Sequence, residues 1–269
     1  MCLILLATQA HPQFSLIVAA NRDEAYARPS APAAFWRDHP GVFAGRDLEH
    51  GGTWLGLSVE GRFAGITNYR QGAPRAAAAR SRGELTRNYL TSDDSAASYI
   101  RSIESRGLGD YNGFGLIAGT PQELWFYSNR GPRAARIGPG VHGLSNHLLD
   151  EPWPKVKQGI AELESLLEAE ETELSTRLLN LLSDRAAAPD HLLPSTGIER
   201  ARERALSASF IEGDAYGTRA STVALIRSSG ETLFIERTYE AGGKLAGETR
   251  QRFSISADLS RSRAAPARA

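Results

Sequence analysis

The sequence predicts an α+β fold: two antiparallel β-sheets stacked face to face, with helix pairs outside, in four layers ordered αββα. Three observations carry this reading. Apolar runs come in neighbouring pairs joined by short turn signals, the mark of hairpins and hence of antiparallel pairing. Helical patterns come in sequential pairs between groups of strands. The first two runs are apolar at nearly every position, so the hairpin they form needs cover on both faces.

The elements follow in order. Cys2 to Ala7 is a continuous apolar run, Ala10-His11-Pro12-Gln13 is a turn, and Phe14 to Ala20 is the returning strand. Asn21-Arg22-Asp23-Glu24 closes that strand, and antiparallel pairing returns these residues to the level of Cys2. The Pro- and Ala-rich stretch Pro29 to Pro40 reads as irregular. Gly51 to Ser58 and Gly61 to Asn68 read as a second hairpin, turning tightly at Glu60-Gly61. Ser81 to Leu90 has helical spacing, and Ser92-Asp93-Asp94 offers N-caps for a second helix ending near Ser105. Asn112 to Ala118 and Glu123 to Asn129 form a third strand pair, followed by a short strand, Val141 to Asn146. Trp153 to Ala169 and Glu171 to Leu182 carry apolar residues at three- and four-residue steps, so both are amphipathic helices. Glu199 to Leu206 is a further short helix, and Ser221 to Ile226, Thr232 to Tyr239 and Glu248 to Ile255 are closing strands. With no internal repeat and no dividing linker, residues 1–258 read as one domain and the Ser-, Arg- and Ala-rich segment 259–269 as a disordered tail.

Composition narrows the classes. Hydrophobic residues make up 41% and charged residues 23%, an ordinary globular balance. Lys+Arg and Asp+Glu are both 31, so no global field attracts nucleic acid or an anionic membrane. The single cysteine excludes an internal disulfide and a multi-cysteine zinc site, and it suits a reducing compartment. No apolar stretch approaches the ~18–20 residues that cross a bilayer, and the opening run lacks the basic segment of a secretory signal. A soluble, cytoplasmic protein without stable membrane insertion is expected.

Cys2 follows Met1 directly. Initiator methionine is trimmed ahead of small residues, which would leave a thiol and a free α-amine on one residue. That is a nucleophile with its own base, since an α-amine has an ordinary pKa of about 7.7–8.0. Such a nucleophile needs a cation that favours the thiolate, and Arg22 is in place for this. It needs an acceptor to orient the amine, for which Asp23 is the candidate. It needs donors for a tetrahedral oxyanion, for which the side-chain amides of Asn68 and Asn146 are candidates. Arg219, in the block Tyr216-Gly217-Thr218-Arg219, is suited to bidentate contact with Asp23 or with a substrate anion. Tyr69 and His147 stand beside the two asparagines, and Trp54 follows Gly51-Gly52, where the backbone can approach closely. These three are the candidate substrate-binding residues.

Met1-Cys2, Ala19-Ala20-Asn21-Arg22-Asp23-Glu24, Gly51-Gly52-Thr53-Trp54-Leu55-Gly56, Thr67-Asn68-Tyr69, Arg82-Gly83-Glu84-Leu85, Tyr111-Asn112-Gly113-Phe114, Gly143-Leu144-Ser145-Asn146, Pro152-Trp153 and Tyr216-Gly217-Thr218-Arg219 together resemble the NRDE family, also called the transport and Golgi organisation 2 family. That family looks like a relative of the N-terminal nucleophile hydrolases, in particular the cysteine-dependent penicillin V acylases and bile salt hydrolases. The resemblance implies a four-layer αββα fold, Cys2 as nucleophile, and Arg22, Asp23, Asn68, Asn146 and Arg219 as its supports. In those amidases the Arg and Asp are separated by two residues; here they are adjacent, which on a regular strand puts their side chains on opposite faces, so either the strand ends at Arg22 or the charge arrangement differs from the amidases.

Two functions are expected from this. The first is hydrolysis of an amide or thioester of a small acyl substrate through an acyl-enzyme, with no cofactor. The second, implied by the family's link to lipid and haem trafficking, is a carrier that binds haem or another amphipathic metabolite without turnover. Cys2, His147 or another of the scattered histidines would then be the axial ligand, although the six histidines show no metal-ligand spacing.

Overall fold

The computed structural model describes residues 2–72, 80–106 and 108–256. Met1 and the expected tail, 259–269, lie outside the described residues. One sheet contains β1 (Cys2–Thr8), β2 (Phe14–Ala25), β10 (Gly140–Leu144), β11 (Tyr216–Arg227), β12 (Glu231–Glu240) and β13 (Lys244–Ser254), in the order β10-β1-β2-β11-β12-β13. The other contains β3 (Ser30–Phe35), β4 (Val42–Asp47), β5 (Leu55–Ser58), β6 (Phe63–Asn68), β7 (Phe114–Thr120), β8 (Glu123–Ser128) and β9 (Ala135–Ile137), in chain order. Neighbouring strands in both sheets are antiparallel.

Burial shows the four layers. Ile4, Leu6, Leu16 and Val18 of the first hairpin pack against Phe43, Leu55 and Phe63, filling the space between the sheets. The alternate residues Leu3, Leu5, Ile17 and Ala19 point the other way, onto α3 (Pro154–Glu164) and α4 (Glu171–Leu182) through Val156, Leu163, Leu174 and Leu178. The second sheet is covered by α1 (Gly83–Leu90) and α2 (Ala96–Ser105), with Ala64, Ile66 and Leu116 packed against Leu85, Tyr89 and Ile100. The continuous apolar runs of β1 and β2 thus have the expected cause: each face has its own cover.

Several elements depart from the sequence reading. Pro29 to Pro40, expected to be irregular, contains β3. β3 is an edge strand, where Pro32 can sit without depriving an inner ladder of a donor. β4 and β9 have no counterpart in the sequence reading. The cap of α2 is Ser95, whose hydroxyl accepts from Ser98 N, rather than the preceding Ser-Asp-Asp cluster. Elsewhere the boundaries shift, by five residues at β2, β11 and α3.

Leu5 is fully buried and fits between two glycines: a Cβ at Gly159 of α3 would lie 2.5 Å from its Cδ1, and one at Gly143 of β10 3.3 Å from its Cδ2. Leu5→Ala therefore leaves a cavity that a helix cannot easily close. A loss of about 2–5 kcal/mol in urea-unfolding stability is expected.

Candidate active site

Strand pairing assembles the site. Cys2 is opposite Arg22, Arg22 opposite Ala220, and Ala220 opposite Thr238. Opposed residues share a face, so these four form one row across β1, β2, β11 and β12. Ile4 and Ala20 on the same face belong to the inter-sheet core, so the row faces the second sheet. Here the sheets part around a cleft of about 520 Å³. The cleft is also lined by Asn68 and Ile66 of β6, by Trp54, and by Arg82 just before α1. Gly52 lets α1 dock there: a Cβ at this position would fall 2.5 Å from the Gly83 carbonyl carbon, and Thr53 N donates to Gly83 O at 3.1 Å.

Cys2 is 6% exposed. Burial pushes its thiol above the usual range, and the Asp23 carboxylate adds to this; the Asp23 backbone N–H and the Arg22 charge act in the opposite direction. Arg22 is 9% exposed and lines the cleft, yet its guanidinium has no hydrogen bond or ion pair among the described residues. The Asn68 side-chain amide is likewise uncommitted among the described residues and lines the same cleft. A sulfur, a guanidinium and an uncommitted amide therefore line one cleft.

The adjacency of Arg22 and Asp23 has the expected effect. β2 runs on to Ala25, and Asp23 pairs with Thr218 on the helix-facing side. Its Oδ1 accepts from Thr218 Oγ1 at 2.7 Å. Burial raises the Asp23 carboxyl, while the charges of Lys155 and Arg70 and the Thr218 hydroxyl lower it. Lys155, on α3, is buried; its Nζ donates to the carbonyl oxygens of Leu206 (3.2 Å) and Ala208 (3.5 Å), and burial pulls its pKa down to about 8.

Three sequence expectations need correction. Arg219 is the extra residue of a β-bulge between Thr218 and Ala220. Its Nη1 donates to the carbonyls of Ala25 (2.9 Å), Tyr26 (3.2 Å) and Arg28 (3.0 Å), and its Nη2 to Ser30 Oγ (3.2 Å). It lines the cleft but clamps the β2–β3 connection instead of gripping the Asp23 carboxylate. Asn146 is fully buried behind the cleft wall, and its Nδ2 donates to Asn68 O at 2.9 Å. With Thr67 Oγ1 donating to Ser145 O (2.6 Å) and Ser145 Oγ to Cys2 O (3.1 Å), it ties the Cys2 strand to the Asn68 strand. Tyr69 and His147 are brought together, Oη to Nε2 at 2.8 Å, but His147 Nδ1 is taken by Glu151 Oε2 at 2.9 Å and the trio lies outside the cleft lining. Trp54 lines the cleft.

The residues match the family model described as Transport and Golgi organisation 2 over 1–241. This chain belongs to that family. The Bos taurus Transport and Golgi organization protein 2 homolog is 39% identical over 259 residues, spanning 88% of this chain and 93% of its own length. The Homo sapiens homolog is 37% identical over 262 residues with the same coverage. The Drosophila melanogaster protein is 31% identical, over 88% of this chain and 92% of its own. Among solved structures, the Caenorhabditis elegans ortholog of N-acylethanolamine-hydrolyzing acid amidase superposes with a TM-score of 0.51 at 13% identity, covering 82% of this chain and 92% of that one. The likeness shows a fold of the N-terminal nucleophile hydrolase kind.

The sequence reading missed Arg82, Lys155 and Glu236. Glu236 sits on β12 in phase with Phe234, a core residue between the sheets. That phase was the available signal, but Thr232, Glu236 and Thr238 share the face, so in sequence Glu236 reads as part of a polar, outward side. Glu236 is 2% exposed and lines the cleft, and its Oε1 accepts from Ala33 N at 2.6 Å. Burial pushes its pKa up from the ordinary 4.5 to about 7, against the opposing effects of the Ala33 N–H, the Arg22 charge and the Thr222 hydroxyl. The unfolded chain therefore loses this proton first. Stability is expected to fall as pH rises from about 4.5 to about 7 and to level off above. Thermal unfolding across that window should show the decline in the native chain and a flatter profile in Glu236→Gln.

Proposed function

We propose that this protein is an N-terminal-cysteine hydrolase that cleaves an amide or thioester bond of a small acyl substrate. The observation that supports the reading best is the opposition of Cys2 and Arg22 in a cleft also lined by Asn68, whose side-chain amide is uncommitted among the described residues. The reading requires removal of Met1. The Cys2 α-amine then takes the thiol proton as sulfur attacks the carbonyl carbon. Asn68 donates to the developing oxyanion, and Arg22 favours negative charge on sulfur beforehand and on oxygen afterwards. Collapse breaks the bond to the amine or thiol leaving group, which departs with the proton from the ammonium. Water next attacks the acyl-thioester, passing its proton to the α-amine, and the acid leaves as the thiol is restored.

The remaining residues have supporting parts in this reading. Asn146 holds the Asn68 backbone, so its role is positioning. Asp23, on the far side of β2, contributes its backbone N–H to the sulfur and its carboxylate to the local field. The alternative of haem carriage finds no support of its own. His147 has both ring nitrogens engaged outside the cleft.

Intact mass should show the processed N-terminus, and a thiol-directed electrophile should label Cys2 faster than it labels free cysteine. Labelling no faster than free cysteine would remove the basis of the proposal. Hydrolysis of a panel of short acyl amides and thioesters, followed by chromatography, should fall about 10²–10³-fold in Asn68→Ala, the usual effect of losing one oxyanion donor.

A further inference from the structure

Glu236 has no part in the hydrolytic steps, yet it lines the same cleft. It lies one step deeper along the strand direction than the Cys2 row: Ile4, Ala20, Thr222 and Glu236 form the next row on the inter-sheet face. β12 is three strands from β1. At about 4.8 Å per strand and 3.4 Å per residue, Glu236 is on the order of 15 Å from Cys2. The cleft is therefore lined by the Cys2 thiol and, three strands away, by the Glu236 carboxyl group.

The two carboxyl oxygens differ. Oε1 accepts from Ala33 N at 2.6 Å, which fixes the side chain in one orientation. Oε2 has no hydrogen bond of ordinary geometry and no ion pair among the described residues. The neighbouring Thr222 hydroxyl is near enough to lower the carboxyl's pKa but makes no such bond itself. The space beside Oε2 exists because position 45 on β4 carries no side chain: a Cβ at Gly45 would lie 3.5 Å from Oε2. Gly45 also lines the cleft. A carboxyl taken out of water is costly unless its oxygens find donors. One oxygen is satisfied by the protein, and the other faces a space open to the substrate.

We propose that Glu236 is the specificity-determining residue in the part of the cleft three strands from Cys2, where Oε2 accepts a hydrogen bond from an N–H donor on the part of the substrate remote from the scissile carbonyl. This rests on the reading of Cys2 as the nucleophile. The substrate class is then an amide or thioester with an ammonium or amide nitrogen on the order of 15 Å from the bond that breaks. A plain hydrocarbon end would leave Oε2 buried without a partner, and a site of that kind discriminates strongly against such an analogue.

The test uses two unreactive acetamides of equal length, one ending in a primary ammonium about 15 Å from the carbonyl and one in a methyl group. Their Kd values for the full chain are measured by calorimetry at pH 8. The ammonium compound should bind roughly tenfold or more tightly, the scale of one charge-assisted hydrogen bond. Glu236→Gln should bring the two Kd values within about twofold of each other. Gly45→Ala, which crowds Oε2 while leaving the bond to Ala33, should also shrink the ratio, and it serves if Glu236→Gln fails to fold. Equal affinities in the native chain would overturn the proposal, as would a preference that survives both variants; a Glu236 that only latches β3 to β12 would behave in this way. The matching pair of chloroacetamides separates this outcome from failure of the hydrolase reading. Slow alkylation of Cys2 with the ammonium preference intact would refute nucleophilic catalysis and leave recognition by Glu236 standing.

Discussion

Everything at the site depends on the antiparallel register of β1, β2 and β11. Strand side chains alternate, so a slip of one residue would turn Cys2 toward the helices and Arg22 away from the cleft. Two apolar surfaces hold the register. Leu3 and Leu5 are fixed by the helix layer, Ile4 and Leu6 by the opposite sheet. A slip would have to exchange both sets at once, and the glycines that receive Leu5 make the helix side particularly selective. The chemistry at the end of the strand is therefore set by hydrocarbon packing along its length.

That same alternation divides the charges of β2. Arg22 faces the cleft, while Asp23 faces a buried polar patch with Thr218 and the charge of Lys155. Neighbours in sequence thus act in separate compartments. The cation is left without a partner among the described residues where a substrate would sit, and the carboxylate is held by the scaffold. The bulge at Arg219 has a related consequence. It commits a third charge to the backbone carbonyls of residues 25, 26 and 28, which shapes the rim where β2 gives way to β3.

The parts of this arrangement that follow from local pattern were legible in the sequence. Paired apolar runs predicted the sheets, and the hairpin predicted that Cys2 and Arg22 meet. The opposition of Arg22 and Asp23 followed from strand periodicity alone. What was not legible depended on partners far along the chain. Asn146 reads like an oxyanion donor, but its amide goes to the Asn68 carbonyl, 78 residues away. His147 reads like a pocket residue, but Glu151 and Tyr69 draw it outward. Pro32 disguised β3, because a proline argues against a strand until that strand is known to be an edge. Glu236 stayed hidden on a face it shares with Thr232 and Thr238, which reads as polar and outward.

The place of Cys2 as the opening residue of β1 has a practical side. The strand begins at a residue that lines the cleft, so a polypeptide joined ahead of it starts beside that space. A purification handle or fluorescent fusion attached there would crowd the opening and, on the hydrolase reading, deny Cys2 its free amine. Recombinant versions meant to report native behaviour should carry such additions at the carboxyl end, and amino-terminal fusions can serve as deliberately obstructed controls.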